Sequence, residues 1–468
     1  MIELLIVKRR KAWSMNERLF GTSGIRGLAN LEVSPSLAYE VGLSLADKLG
    51  EGRVVIGYDT RTSSQMLASA TVSGVCSGGL DAKVLGMIPT PTLAYLSRVL
   101  QARAGVMITA SHNPPEYNGI KLFTGEGIAY NRRLQLWIER SVHSGKSRTV
   151  PWKSIGEIEF SDESERYMKM IVDNVVLEKR WNVVVDPGCG AGSLIAPAVL
   201  RLLGCKVASI NAQADGTFPG RRPEPSPENL GELSRIVRTL KADIGVAYDG
   251  DADRVVFINE RGEFIEQDRA LGAFAGHALE KRKGTIVVPI DTSISVEETV
   301  KQSGGRLIRT KVGDVYVANA VKEYGALFGG EPCGAWITPE FHLCPDGILH
   351  SVLFLKALEE SSEKPSKFVS RVPKYYLLRR KIVCPEQSKH KAMAEIEKNL
   401  SKYLSKSSRL VRVDGLGFQM EGGWTLIRPS GTEPILRVTS EAASLKSAEK
   451  ILKIVVPIIE NSIRLVSK

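Results

Sequence analysis

A chain of 468 residues with a net charge of +11 is too long for one hydrophobic core and is expected to divide into roughly three or four domains. With 43% hydrophobic and 25% charged residues it has the composition of a soluble globular protein, and no apolar run is long enough to cross a bilayer. Its basic residues are spread rather than massed, and neither zinc-finger spacing nor an aromatic RNA-binding pattern occurs, so nucleic acid and membrane are not expected partners; small phosphorylated anions remain.

The chain opens with MIELLIV and then KRRK, an apolar run too short for a membrane span and with its charges on the wrong side for a signal peptide. Residues 1–14 therefore read as a loose N-terminal tail, or as the product of a start upstream of Met15. The six cysteines lack CxxC spacing and are expected to be reduced in a cytoplasmic protein. FGTSGIRG (Phe20 to Gly27) is glycine-rich without the P-loop lysine or the dinucleotide spacing; its Arg26 could meet a phosphate.

Three β-branched runs follow: RVVIGYDTRTS (Arg53 to Ser63), WNVVVDPGCGAG (Trp181 to Gly192) and TIVVPIDTS (Thr285 to Ser293). Each meets an aspartate at its end, Asp59, Asp186 and Asp291, and helical stretches follow the first two. Each run is succeeded by a second apolar run with an unusual loop: GVMITASHNP, DIGVAYDGDADR and GALFGGEPCG. Continuous apolar strands alternating with helices predict sheets covered on both faces, whose ligands bind beyond the carboxyl ends of the strands. The expected fold class is α/β, with three similar α/β domains with mixed sheets over 15–150, 151–255 and 256–370. A smaller α+β C-terminal domain over 371–468 completes the chain, and the domains are expected to surround a central cleft.

Ser111 ends the strand-like Val106 to Ile108 on a loop stiffened by Pro114 and Pro115, where a hydroxyl can be a nucleophile, a phosphate ligand or a turn former. His112 beside it is not expected to pair with it, because neighbours on an extended chain point apart. Asp249, Asp251 and Asp253 alternate in DGDADR; on an extended loop these carboxylates converge and call for a cation, magnesium suiting them best. The alternative is a solvated acidic turn. In RPSGTEPILR, Ser430, Gly431 and Thr432 offer hydroxyls and close backbone N–H groups, and Arg428 and Arg437 offer bidentate charge. That segment reads as a phosphate site, or as a plain turn between strands. Glu331 in GGEPCG is a single carboxylate able to accept from sugar hydroxyls or to cap a turn.

In this order, TASHNP, DGDADR, GGEPCG and RPSGTEP resemble the four loops of the α-D-phosphohexomutases, and the resemblance covers nearly the whole chain from about Arg18. It implies an enzyme interconverting hexose 6-phosphate and hexose 1-phosphate through a phosphoserine at Ser111 and a hexose 1,6-bisphosphate, which also serves as activator. Asp249, Asp251 and Asp253 would hold Mg2+ together with the phosphate on Ser111. Lys121 matches the family's proton-transfer lysine, and Arg26 and Arg254 match residues that neutralise the phosphoserine. Thr310, Gly313, Glu331 and Cys333 fall at the sugar site, and Arg428, Ser430, Gly431, Thr432 and Arg437 at the site for the other phosphate. Two departures stand out: Cys333 replaces the usual serine, and Ala335 and Trp336 follow where many members carry a histidine, whose acid/base role therefore does not transfer. The EPxGxW form looks most like archaeal phosphoglucosamine mutases. Phosphomannomutase or phosphoglucomutase activity is the alternative; a sugar-phosphate-binding protein without turnover is the alternative from another class, against which Ser111, the three aspartates and Lys121 argue. The oligomeric state is not legible in the sequence.

Overall fold

The β-branched runs become middle strands of separate sheets in the computed structural model, which describes residues 18–401, 410–420, 423–430 and 434–466. The tail expected at 1–14 lies outside these residues. Contacts divide the chain into two units, one of residues up to Phe264 with Cys333–Pro365, the other of Ile265–Pro332 with the chain from Ser366 onward.

In the first unit, β1 (Phe20–Gly21), β2 (Gly24–Leu28), β3 (Arg53–Tyr58), β4 (Asp81–Met87), β5 (Ala104–Ile108), β6 (Tyr117–Thr124) and β7 (Ile158–Phe160) form one sheet in the order β1-β2-β6-β5-β3-β4-β7. β3 is parallel to β4 and β5, whereas β6 is antiparallel to β5 and sets Lys121 opposite Met107. The helix Pro35–Leu49 starts where Ser34 Oγ accepts from the Leu37 N–H at 3.2 Å and proline takes the first helical position. It crosses the helix Ser64–Ser77 so closely that a Cβ on Gly74 would lie 2.1 Å from the Tyr39 carbonyl oxygen, which is why glycine stands there.

A second sheet in this unit contains β8 (Asn182–Asp186), β9 (Lys206–Ser209), β10 (Ile244–Tyr248) and β11 (Val255–Ile258), ordered β11-β10-β8-β9. β8 is parallel to both neighbours and β11 antiparallel to β10. Every residue of β10 is buried, as its unbroken apolar sequence requires. The helix Gly347–Ser361 belongs to this unit, and its Ser351 Oγ accepts from the Tyr248 hydroxyl at 2.8 Å.

In the second unit, β12 (Thr285–Pro289) lies between β13 (Arg306–Thr310) and β14 (Phe328–Gly330) and is parallel to both. The short β15 (Trp336–Ile337) belongs to the first unit. The C-terminal region adds a sheet of β16 (Tyr376–Val383), β17 (Leu410–Val411), β18 (Leu416–Met420), β19 (Gly423–Pro429) and β20 (Ile435–Ala442) in the order β16-β20-β19-β18-β17. All its pairings are antiparallel. One face packs Ile427, Leu436 and Val438 against Ile396, Ile451 and Val455 of the helices Lys389–Leu400 and Leu445–Val466.

The parallel triplet, with the first strand between the second and the third, thus occurs three times: β4-β3-β5, β9-β8-β10 and β13-β12-β14. The fold is α/β with mixed sheets in three similar parts and a smaller α+β part at the C-terminus. Among the described residues no helix is long and apolar enough to cross a membrane.

Candidate active site

Ser111 sits three residues beyond β5 with its backbone at φ 53°, a left-handed conformation that a serine adopts only when its surroundings impose it. Those surroundings are built by Asp59 and Arg61 at the end of β3. The Arg61 guanidinium, fully buried, donates to the carbonyls of Ser111 (2.9 Å), Asn113 (2.6 Å), Pro114 (2.5 Å) and Tyr117 (2.9 Å), and its Nε to Asp59 Oδ2 (3.0 Å). Thr109 Oγ1 donates to the same aspartate and accepts from the Ser111 N–H at 2.9 Å. Burial raises the Asp59 pKa, against the opposing pull of Arg61 and of the hydroxyls of Ser64 and Thr109. Arg26, from β2, donates through Nη1 to Asn113 Oδ1 at 2.9 Å.

The Ser111 hydroxyl donates to Asp249 Oδ2 at 2.6 Å. Asp249, Asp251 and Asp253 are buried, and one carboxylate oxygen of each lies within 4.8 Å of the others. The segment is not the extended loop expected from its sequence. Ala252 takes φ 57° and its N–H bonds back to the Asp249 carbonyl at 3.2 Å, so a turn, not alternation along an extended chain, brings the carboxylates together. Gly250 is required at this approach, since a Cβ there would lie 2.5 Å from the Ser111 carbonyl oxygen. Lys121 Nζ donates to Asp251 Oδ2 (2.7 Å) and Asp253 Oδ2 (2.6 Å), and Thr90 Oγ1 donates to Asp251 Oδ2 (2.5 Å). Among the described residues, the second oxygens of Asp251 and Asp253 are buried without a hydrogen-bond partner. Three clustered carboxylates, two of them with a buried oxygen that makes no hydrogen bond among the described residues, fit a small cation.

Charge follows this geometry. Burial, reinforced by Asp253 and Asp251, pushes the Asp249 carboxyl well above the usual range. Burial also works against the charge of Asp251, yet the adjacent Lys121 ammonium, with Thr90 and Arg26, holds it below that range. Asp253 is raised by burial and by Asp251, partly offset by Lys121 and Arg254. Arg254 reaches Asp253 Oδ1 at 3.9 Å, Asp249 Oδ2 at 4.0 Å and Glu224 Oε2 at 3.4 Å, and the half-buried Cys333 lies in its field.

His112 corrects another expectation. Its Nδ1 lies 3.3 Å from Ser111 Oγ, because the left-handed turn at Ser111 swings adjacent side chains together. Burial and the cations Arg254 and Arg26 push its imidazole down to about 2, so it is a neutral neighbour of the hydroxyl.

In the second unit, Glu331 follows β14 and its Oε1 accepts from the Gly313 N–H at 2.8 Å, while Thr310 ends β13 with its hydroxyl turned to the Lys311 carbonyl at 2.8 Å. Arg428, the last residue but one of β19, binds Asp414 Oδ2 at 2.6 Å and Asp291 Oδ2 at 3.4 Å. Arg437 stands directly opposite it on β20. Ser430 is buried; its N–H donates to the Ile435 carbonyl at 3.0 Å and its carbonyl accepts from Lys389 Nζ at 2.6 Å. Gly431 and Thr432 lie outside the described residues. The structure thus gathers Ser111, Lys121, Arg254 and the three aspartates in the first unit, and sets Glu331 with Gly313, and Arg428 with Arg437, in the second.

Sequence reasoning missed Arg61, Thr90, Asp414 and Lys389. Arg61 was within reach, two residues beyond the strand-end Asp59; nothing local marks the others.

Residues 17–149 match the phosphoglucomutase/phosphomannomutase alpha/beta/alpha domain I, 165–262 domain II, 266–376 domain III and 381–458 the C-terminal domain. The chain belongs to the phosphoglucomutase/phosphomannomutase family, and is a phosphohexomutase, an isomerase. Among its relatives, a probable phosphoglucosamine mutase of Pyrococcus abyssi is 42% identical over 96% of this chain and 99% of its own. One of Methanothermobacter thermautotrophicus is 44% identical over 93% and 96%. A solved phosphoglucomutase/phosphomannomutase family protein from Burkholderia thailandensis superposes with a TM-score of 0.87 at 25% identity, covering 95% of this chain and 97% of that one.

Proposed function

We propose that this phosphohexomutase acts on glucosamine phosphate, exchanging its 6- and 1-phosphates through a phosphoserine at Ser111 and a hexose 1,6-bisphosphate. The observation that carries the proposal is the Ser111 hydroxyl held 2.6 Å from Asp249 in a buried cluster with Asp251, Asp253 and Lys121. The glucosamine assignment rests on the relatives named above and on the EPxGxW form of this chain's sugar loop, which resembles that of archaeal phosphoglucosamine mutases.

The residues take the following parts. The Arg61 clamp fixes the backbone from Ser111 to Tyr117, so that the serine oxygen keeps one position for in-line transfer. Asp249, Asp251 and Asp253, with the serine phosphate, would hold Mg2+, which when bound would neutralise charge on the transferring group. Lys121 exchanges a proton with the reacting sugar hydroxyl, and Arg26 and Arg254 offset the phosphoserine charge. Glu331, with Thr310, Gly313 and Cys333, orients the sugar. Arg428, Ser430, Gly431, Thr432 and Arg437 hold the phosphate that is not reacting. The chain works in the cytoplasm as domains near 15–150, 151–255, 256–370 and 371–468. Ser111→Ala should lose nearly all turnover while still binding a hexose 6-phosphate. Mass spectrometry that finds no phosphate on Ser111 of active enzyme supplied with bisphosphate would end this reading, and a panel of the glucosamine, glucose and mannose 6-phosphates tests the substrate.

A further inference from the structure

Arg254 follows the aspartate turn, and its guanidinium is shared among three carboxylates. Its Nε lies 3.9 Å from Asp253 Oδ1 and 4.0 Å from Asp249 Oδ2, too far for hydrogen bonds, whereas its Nη1 donates to Glu224 Oε2 at 3.4 Å. Among the described residues its nearest acid is thus Glu224, not a member of the cluster. The same Glu224 oxygen lies 3.9 Å from His112 Nδ1, and that nitrogen is 3.3 Å from Ser111 Oγ. Because the imidazole is neutral, the cation that Glu224 faces is Arg254.

The loop that carries Glu224 is fastened along its length. Arg221, almost wholly buried, pairs with Asp186 at 2.9 Å and donates through Nη1 to the carbonyls of Arg222 (3.0 Å) and Pro223 (3.4 Å), the two residues before Glu224. The Glu224 carbonyl accepts from Asn229 Nδ2 at 2.8 Å and from the Ser226 N–H at 2.9 Å. Earlier in the loop, Gly216 meets the strand end that clamps Ser111, where a Cβ would lie 2.2 Å from the Thr60 carbonyl oxygen. The Arg61 guanidinium lies 5.2 Å from the centre of the Phe218 ring. The backbone at Glu224 is therefore locked to both the serine loop and the aspartate turn, yet its side chain is 39% exposed.

We infer that Glu224 is a positioning residue for phosphoryl transfer, holding Arg254 when Ser111 carries a hydroxyl and yielding it to the phosphate when Ser111 carries a phosphoryl group. The inference rests on the phosphoserine reading above. Each transfer to sugar breaks the P–O bond at Ser111 as one forms to a sugar hydroxyl. The proton of that hydroxyl ends on the serine oxygen, which then donates to Asp249 as the 2.6 Å contact shows. About two negative charges thus leave the neighbourhood of Arg254 in one half of the cycle and return in the other. A guanidinium tied to a fully buried acid, as Arg61 and Arg221 are, would be withheld from the phosphate. A partly exposed acid releases it more easily, because water solvates the carboxylate that is left behind. By competing for Arg254, Glu224 also raises the free energy of the phosphoserine and favours passing the phosphoryl group to the sugar.

The test is the equilibrium ratio of phosphorylated to free Ser111, read by mass spectrometry of the full-length protein at a fixed ratio of hexose 1,6-bisphosphate to hexose 6-phosphate. Wild type, Glu224→Gln, Arg254→Gln and the double variant are compared. Glu224→Gln is expected to raise the ratio about three- to tenfold, the size of a charge contact with one partly exposed partner, with the unfolding midpoint little changed. In the Arg254→Gln background, supplied with more bisphosphate, the same change should leave the ratio where it is, because the guanidinium that Glu224 competes for is gone. A ratio that does not rise in Glu224→Gln would overturn the part given to Glu224. An equal rise in the Arg254→Gln background would overturn it too, since Glu224 would then repel the phosphate directly and not through its hold on Arg254. Absence of phosphate from wild-type Ser111 under the same conditions would end the phosphoserine reading, and this inference with it.

Discussion

Thr90→Val removes one hydroxyl and almost no volume from the cluster around Asp251. Thr90 and Asp251 are both buried, and the Oγ1 to Oδ2 hydrogen bond is 2.5 Å long. A charge-assisted bond of this kind contributes about 1.5–3 kcal/mol, and its loss should lower stability by an amount of that order. The chain should still fold, because Lys121 keeps its 2.7 Å contact to the same oxygen and the Thr90 N–H keeps its 3.0 Å bond to the Asp251 carbonyl. What changes is the aim of the carboxylate. Thr90 and Lys121 together hold Oδ2, which leaves the unpartnered Oδ1 for a cation; with one donor gone the group can rotate. Loss of a partner behind a metal ligand typically weakens binding about 10–100-fold. Calorimetric titration of Mg2+ into wild type, Thr90→Val and Thr90→Ser should show that loss for valine and near-normal binding for serine. A valine variant with wild-type affinity and an unchanged unfolding midpoint would refute the role given to Thr90.

Gly250→Ala should separate the aspartate turn from the serine loop, since its Cβ would meet the Ser111 carbonyl at 2.5 Å; about 1–3 kcal/mol of stability and most of the turnover should go, read by denaturation and by single-turnover phosphoryl transfer. Asp268 titrates in the folded state at about 6, raised by burial and by Glu441 and Asp291 against the Ser293 N–H and Arg379. The folded chain therefore holds an extra proton between the unfolded value near 4 and about 6, so this group's contribution to stability is greatest below that window and falls as pH rises through it. Asp268→Asn should flatten the decline between pH 4.5 and 7 by about 1–2 kcal/mol, less than the full shift because the residue is half-buried; equal slopes in denaturant melts of mutant and wild type would contradict this.

The strands were legible because their cores are unbroken β-branched runs, as in Val183–Val185 and Ile286–Val288, and such runs have few alternatives to a buried strand. The four loops were legible because each pairs a chemical group with residues that shape the backbone. Conformation inside the loops was not. Nothing in TASHNP tells that Ser111 is left-handed, so an extended-chain reading of it does not expect Ser111 and His112 to pair. The same blindness made DGDADR extended when it turns at Ala252. Partners brought together by the fold were equally invisible: Thr90 meets Asp251 across 161 positions, and Lys389 meets the Ser430 carbonyl across 41.

The three strand-end aspartates carry the same sequence signal and divide into two kinds of work. Asp59 is tied to Arg61 and Asp186 to Arg221, and all four side chains are almost wholly buried. Arg221 also donates to the carbonyls of Asp186 and Tyr248, the latter immediately before Asp249, as Arg61 does to that of Ser111. Breaking a buried pair of this sort costs about 3–5 kcal/mol, so neither arginine is available to a ligand. In the third repeat the carbonyls are held instead by Arg309, which reaches those of Pro289, Ile290 and Thr292 and pairs with Glu297. Asp291 is thereby released from the structural task and faces Arg428 at 3.4 Å, with the two side chains 34% and 20% exposed. Both side chains are partly exposed, so a phosphate can compete for Arg428 on easier terms than for the arginine of either fully buried pair. One position in the repeat fixes a loop twice and, the third time, pairs with Arg428 of the proposed phosphate loop at a partly exposed place.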